Sequence, residues 1–447
     1  MIGPATYFRP EHRAALDERT RALIDRREAV LSPGYRLFYA HPVEFVRGSG
    51  TKLYTRDGEE FLDVYNNVPV VGHAHPRVAA AIAEQAARLN THTRYLDEGL
   101  IDYAERLIGA FPDALDTLTL VCTGSEANDL ALRVATQATG HRGVIVTENA
   151  YHGVTTEIAA ISPSLGGDDS LAAWTRTVRP PVGDGRTMVA DAERAIAELQ
   201  AAGHGVAALI VDTAFASDGF IAPSPATRAA LAAVAAAVRA AGGLVIADEV
   251  QPGFGRLGAT ADEPGLWGFL RHGLDPDLVT IGKPMANGLP VAGLVARRPL
   301  MAAFGERVRY FNTFAGTPVS VAAARATWEV LHDERLPQHA AAVGAALLGM
   351  LDGLTARHPR LRAPRGAGLY LGIDVVDPAT GLPDQPAATA LVSGLRERRI
   401  LISASGRDNA ALKIRPPLPF SHGDAERFIT ELDAALGELD RMGTDGR

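Results

Sequence analysis

The sequence predicts an α/β protein in which a mostly parallel central sheet is flanked by helices, with a smaller α+β domain drawn from both chain ends. Three observations point there. Between about residues 76 and 296, helical stretches alternate with short β-branched runs, the pattern of strand, crossover helix and strand. Several of these runs are apolar throughout, as strands covered by helices on both faces must be. Outside this block, a short antiparallel pair stands at one end and a mixture of helices and strands at the other. The expected division is residues 1–70 as an N-terminal segment contributing to the small domain, 71–330 as the large domain and 331–447 as the C-terminal small α+β domain.

Taken in order, residues 44–47 and 52–55 flank Gly48 and Gly50 and read as the antiparallel pair, followed by 61–64. Within the alternating block, apolar periodicity predicts helices over 77–89, 124–139, 191–202 and 225–241. Strands are predicted over 144–147, 207–211, 244–247, 278–281 and 291–295. The stretch 162–184 is rich in Pro, Gly, Ser and Asp and reads as a surface loop. Beyond the block, helices over 319–331 and 338–356 precede strand 369–375, helix 388–398, strand 411–414 and helix 424–439.

A chain of 447 residues with 47% hydrophobic content can fill a large core. Its formal net charge of −8, with basic residues scattered, leaves no electrostatic footprint for nucleic acid or an anionic membrane, so small molecules are the expected partners. Cys122 is the only cysteine, which excludes an intramolecular disulfide and a cysteine-based metal site and suits a reducing, cytoplasmic setting. No metal is expected. The charged N-terminus lacks the apolar run of a signal peptide, and no stretch approaches the roughly 20 uncharged apolar residues of a membrane span.

Chemistry gathers at the strand ends. The run 244–247 leads into Asp248 and brings a carboxylate to the C-terminal edge of a parallel sheet, where ligands of open α/β folds bind. Alone, such an acid is as readily a helix cap. The run 278–281 brings Lys283 to the same edge, enclosed by glycines and apolar residues with no acid beside it in sequence. Burial lowers a lysine's pKa and makes its amine a Schiff-base nucleophile. An Asp and a Lys so placed are what pyridoxal phosphate needs, one for its ring nitrogen and one for its aldehyde. Thr123, Gly124 and Ser125 open an apolar-periodic helix whose first amides and dipole can take a phosphate, although the same pattern also reads as a capping box. After the run 144–147, Tyr151 can stack on a ring or be a turn aromatic. The four pieces fall in the order phosphate loop, aromatic, Asp, Lys.

With CTGSEAN at 122–128, YHG at 151–153, IADEVQ at 246–251, GFGR at 253–256, GK at 282–283 and NTFAGTP at 312–318, the chain resembles the class III aminotransferase family. The resemblance implies the fold-type I PLP-dependent transferase fold. It also implies that Gly124 and Ser125 hold the cofactor phosphate and that Tyr151 and Val250 sandwich the ring. Asp248 would bind the ring nitrogen, Gln251 would reach the ring hydroxyl, and Lys283 would carry the cofactor as a Schiff base and shuttle protons. Thr313 would reach across a homodimer interface to the neighbouring subunit's cofactor phosphate.

A closer likeness runs through GYRLFY at 34–39, DVYNNV at 63–68, VGHAHP at 71–76, LNTHTRYL at 89–96 and YFNTF at 310–314. These resemble the phospho-lyase subgroup acting on ethanolamine phosphate or 5-phosphohydroxylysine, which eliminates phosphate and leaves an aldehyde and ammonia. A site for a phosphate dianion needs cations, and Arg36, Arg94, Lys413 and Arg415 are the candidates. In LKIRPPL at 412–418, Lys413 stands where many aminotransferases have a carboxylate-binding arginine; a lysine is a compact charge without the bidentate fork. Ser217, in DTAFAS at 212–217, stands where many have a gating glutamate, so no carboxylate is expected to neutralise the strand cations. The alternative is an ω-aminotransferase moving nitrogen between an amine and pyruvate or 2-oxoglutarate, with the same Lys283 and Asp248. A silent cofactor-binding scaffold would not need both residues.

Overall fold

The structure is a computed structural model that describes residues 6–166, 168–261 and 265–444. Strands β1 (Phe45–Ser49), β2 (Lys52–Thr55) and β3 (Glu60–Asp63) form an antiparallel ribbon. The next seven are β4 (Thr117–Val121), β5 (Val144–Thr147), β6 (Thr175–Val178), β7 (Ala208–Asp212), β8 (Leu244–Asp248), β9 (Leu278–Ile281) and β10 (Ala292–Ala296). They make one sheet in the order β4-β10-β9-β8-β7-β5-β6. Only β10 is antiparallel to its neighbours, β4 and β9; the other pairings are parallel. Six strands therefore run the same way and end at the same edge. Their apolar side chains are covered on both faces, so β5, β8, β9 and β10 bury nearly every residue.

The remaining strands are β11 (Leu361–Ala367), β12 (Tyr370–Val375), β13 (Ile400–Leu401), β14 (Ser403–Ser405) and β15 (Ala411–Ile414). A second sheet has the order β11-β12-β15-β14, while β13 pairs in parallel with β3. The two ends of the chain thus share a sheet. Arg415 extends β15 toward the site and donates its amide to the Val64 carbonyl, just beyond β3.

The expected strands and most helices occur within a few residues of their predicted bounds. The stretch 162–184 is the main correction: it contains β6, paired in parallel with β5. Its sequence, Thr-Arg-Thr-Val, alternates polar and β-branched residues, and as an edge strand it buries only Thr175 and Val178. That leaves little apolar signal between two turn-rich flanks. The helix predicted from 191 begins at Arg186, behind Gly185, whose φ of +71° makes the turn into it. Among the described residues, no helix is long and apolar enough to cross a membrane.

Candidate active site

The carboxyl ends of the strands enclose a cavity of about 300 Å³, lined by Gly124, Ser125, Tyr151, Asp248, Gln251 and Lys283 among others. Each arrives from a different connection. The helix Gly124–Thr139 follows β4, and Thr123 caps it by accepting the Glu126 amide at 3.2 Å. The first intrahelical partner belongs to Ala127, so the amides of Gly124 and Ser125 lie in the unpaired first turn. Gly124 cannot be larger: a Cβ there would stand 2.6 Å from Val250 Cγ1. Ser125 Oγ accepts the Val154 amide at 3.1 Å, tying this turn to the loop after β5.

Asp248 ends β8 at 5% exposure. Its Oδ2 accepts from Asn128 Nδ2 at 2.9 Å and His152 Nδ1 at 2.7 Å, and its Oδ1 accepts from the Val250 amide at 3.0 Å. Asn128 is itself fixed, donating to the His152 carbonyl at 2.7 Å and accepting from Thr280 Oγ1 at 2.6 Å. A carboxyl group has about four lone-pair sites, so one remains for a ligand. Lys283 follows β9 and Gly282, with a backbone φ of +24°, a conformation an L-residue adopts only under constraint. Burial pushes its amine pKa down, opposed by Asp248 and reinforced by Arg415. That favours the neutral nucleophile. Tyr151 and Val250 both line the cavity.

Gln251 Oε1 accepts from Tyr370 Oη at 3.0 Å and from Arg415 Nη1 at 2.7 Å, which leaves the amide group as what the side chain can offer. Arg415 also donates to Asn67 Oδ1 at 2.9 Å and lies 4.5 Å over the Tyr65 ring. Lys413 Nζ donates to the Ala216 carbonyl at 3.2 Å, and burial, then the Arg415 charge, hold its ammonium well below the usual range. The expectation that no carboxylate answers these cations is corrected by Asp212. β7 and β8 end in register, Asp212 beside Asp248, so Asp212 lines the cavity and its charge acts on both lysines. Burial, then Asp248, push its own pKa up.

The described residues do not bring all the predicted ones together. Thr313 is exposed and lines a separate depression with Glu126, Asp129 and Arg133. Arg94 is exposed and stacks 3.7 Å over Phe311, and Arg36 is exposed and 5.6 Å from the Tyr7 ring; neither lines the Lys283 cavity. Both sit on segments that run over the surface, where a basic residue is indistinguishable in sequence from a buried one. His152, Asn128, Tyr370 and Asn67 escape the sequence reading. Only His152, adjacent to Tyr151, offers a local signal.

The cavity fits pyridoxal phosphate. Unpaired helix amides, a carboxyl group with a remaining lone pair, a desolvated lysine and an amide donor converge on it, and the two glycines at its phosphate end leave no room for a Cβ, Gly153 at 2.5 Å from Ser125 Oγ. Residues 38–436 match the family described as Aminotransferase class-III. Among solved structures, a phospholyase from Arthrobacter in complex with phosphoethanolamine is 41% identical, with a TM-score of 0.88 over 93% of this chain and 99% of that one. Ethanolamine-phosphate phospho-lyase homolog 1 of Caenorhabditis elegans is 36% identical over 98% of each chain. An alanine-glyoxylate aminotransferase 2-like protein of Drosophila melanogaster is 36% identical over 88% of this chain and 82% of its own. The chain belongs to the class III aminotransferase family of pyridoxal-phosphate enzymes.

Proposed function

We propose that this protein is a phospho-lyase that converts ethanolamine phosphate and water into acetaldehyde, ammonia and inorganic phosphate. The observation that carries this reading is the 41% identity, over nearly the whole chain, to a phospholyase solved with phosphoethanolamine. Lys413 in place of a forked arginine supports it, because ethanolamine phosphate has no carboxylate to clamp.

Pyridoxal phosphate, when bound, supplies an electron sink for the carbon that carries the substrate amine. Gly124 and Ser125 bind its phosphate at the helix start, Tyr151 and Val250 enclose its ring, and Asp248 holds a proton at the ring nitrogen. Lys283 would hold the aldehyde and, once the substrate amine had taken its place, would remove the proton from the carbon that bears that amine. Lys413 does not itself line the cavity, but its charge and that of Lys283 act on each other, and from that position it attracts the substrate phosphate, whose dianion restores the charge that burial disfavours. With phosphate on the next carbon, the electrons of the lost C–H bond would form a C=C bond as the C–O bond broke and its electron pair left with the phosphate, and water would then hydrolyse the released enamine to acetaldehyde and ammonia. Thr313 serves the cofactor phosphate of a second copy, so the working form is a homodimer. The lone Cys122 suits the cytoplasm.

The competing aminotransferase reading is tested by supplying unphosphorylated ethanolamine with pyruvate or 2-oxoglutarate. The phospho-lyase forms no alanine or glutamate; keto-acid-dependent formation of either at a rate matching phosphate release would reverse the assignment.

A further inference from the structure

Arg415 stands among the candidate cations for the substrate phosphate, yet its surroundings describe another task. It is 8% exposed, and its Nη1 is occupied by two side-chain carbonyls, Asn67 Oδ1 at 2.9 Å and Gln251 Oε1 at 2.7 Å. Its flat face rests on Tyr65, and its backbone amide is held by Val64. Asn67, 2% exposed, is fixed in turn where Arg256 Nη2 donates to its backbone carbonyl at 3.5 Å. Arg415 is absent from the lining of the Lys283 cavity, whereas Gln251 is part of it.

An amide side chain has two ends of similar shape and opposite polarity, and only its partners decide which end faces a ligand. Tyr370 Oη and Arg415 Nη1 are both donors, and both meet Oε1. Flipping the amide would set its NH2 against the Arg415 guanidinium, which can only donate, and would force the Tyr370 hydroxyl to turn from donor to acceptor, an unfavourable arrangement for buried groups. We propose that Arg415, with Tyr370, is a positioning residue that locks the Gln251 amide so that its N–H donors face the cavity. The inference rests on Gln251 serving the ring oxygen of the cofactor and is independent of whether the reaction is elimination or transamination. The charge of Arg415 also acts on Lys283 from behind Gln251.

The test reads cofactor binding, not turnover. Apoenzyme is titrated with pyridoxal phosphate by absorbance, and the pH midpoint of the bound spectrum is recorded for Gln251→Ala, Arg415→Met, Tyr370→Phe and their pairs with Gln251→Ala. Each of the first two is expected to weaken cofactor binding about tenfold, and Tyr370→Phe less, as loss of one neutral hydrogen bond implies. In the Gln251→Ala background the further effect of Arg415→Met or Tyr370→Phe on affinity is small, because the donor they position is gone. Arg415→Met moves the pH midpoint upward by removing a cation. If Arg415→Met does not fold, the Tyr370→Phe pair carries the same coupling test. Additive losses, or an Arg415→Met enzyme with unchanged titration and midpoint but a raised KM for ethanolamine phosphate, would overturn the proposal. A silent Gln251→Ala removes it as well, while a coloured wild type and a colourless Lys283→Ala would leave the cofactor assignment standing.

Discussion

Asp248 and Glu249 are consecutive carboxyl groups at the end of one strand, both buried, and they live in opposite worlds. Strand alternation turns one toward the cavity and the other toward the core. Glu249 accepts from Thr213 Oγ1 at 2.6 Å, the Phe269 amide at 2.7 Å and the Gly268 amide at 2.8 Å, closing the loop between β8 and β9 onto the sheet. Asp248 also accepts three hydrogen bonds, but its partners include His152 and Asn128, which are themselves held, and it opens onto the space shared with Lys283. The difference teaches that burial and residue type do not separate structure from function here. What separates them is whether the group faces a cavity with donors and a nucleophile arranged around it.

Breaking the pair one side at a time should give opposite phenotypes. Asp248→Asn is expected to lower kcat by roughly a hundredfold or more, as for loss of an electrostatic partner at the reacting system. Lys413→Ala should raise the KM for ethanolamine phosphate about tenfold and leave cofactor affinity alone, as loss of one charge-assisted contact predicts. Gly124→Ala puts a Cβ 2.6 Å from Val250 and should weaken cofactor binding severalfold, measured by absorbance titration. Glu249→Gln, in contrast, should cost about 2 kcal/mol of stability by turning an amide N–H toward a buried backbone N–H donor, with kcat changed little. The smallest effect is in pH dependence. Burial pushes Glu249 up from 4.5 to about 7, so its protonated form is favoured in the fold. Its contribution to stability is present below pH 4.5 and lost as pH rises through about 7, and Glu249→Gln should flatten the denaturation midpoint across that window.

The sequence reveals the parts whose signal is local. The helix Gly124–Thr139 and the strands Val144–Thr147 and Leu278–Ile281 have the predicted bounds, because strong periodicity meets Gly or turn residues at both ends. Asp248 and Lys283 are legible because each follows an apolar strand. β6 is hidden by its polar edge-strand composition. The cage around Asp248 and Gln251 is hidden for a different reason: Asn128, His152, Tyr370 and Asn67 lie up to 348 residues from the groups they hold, and only the fold brings them close. Arg415 was visible as a cation but not as a group with its Nη1 already occupied.

The most direct measurement of the central claim follows one solution of holoenzyme and ethanolamine phosphate, with no keto acid, by phosphorus NMR and absorbance together. A phospho-lyase converts the ester to inorganic phosphate over many turnovers, with matching acetaldehyde and ammonia, and the cofactor band returns to its starting position. An intact ester with a cofactor band shifted permanently after one turnover would contradict it and identify an aminotransferase.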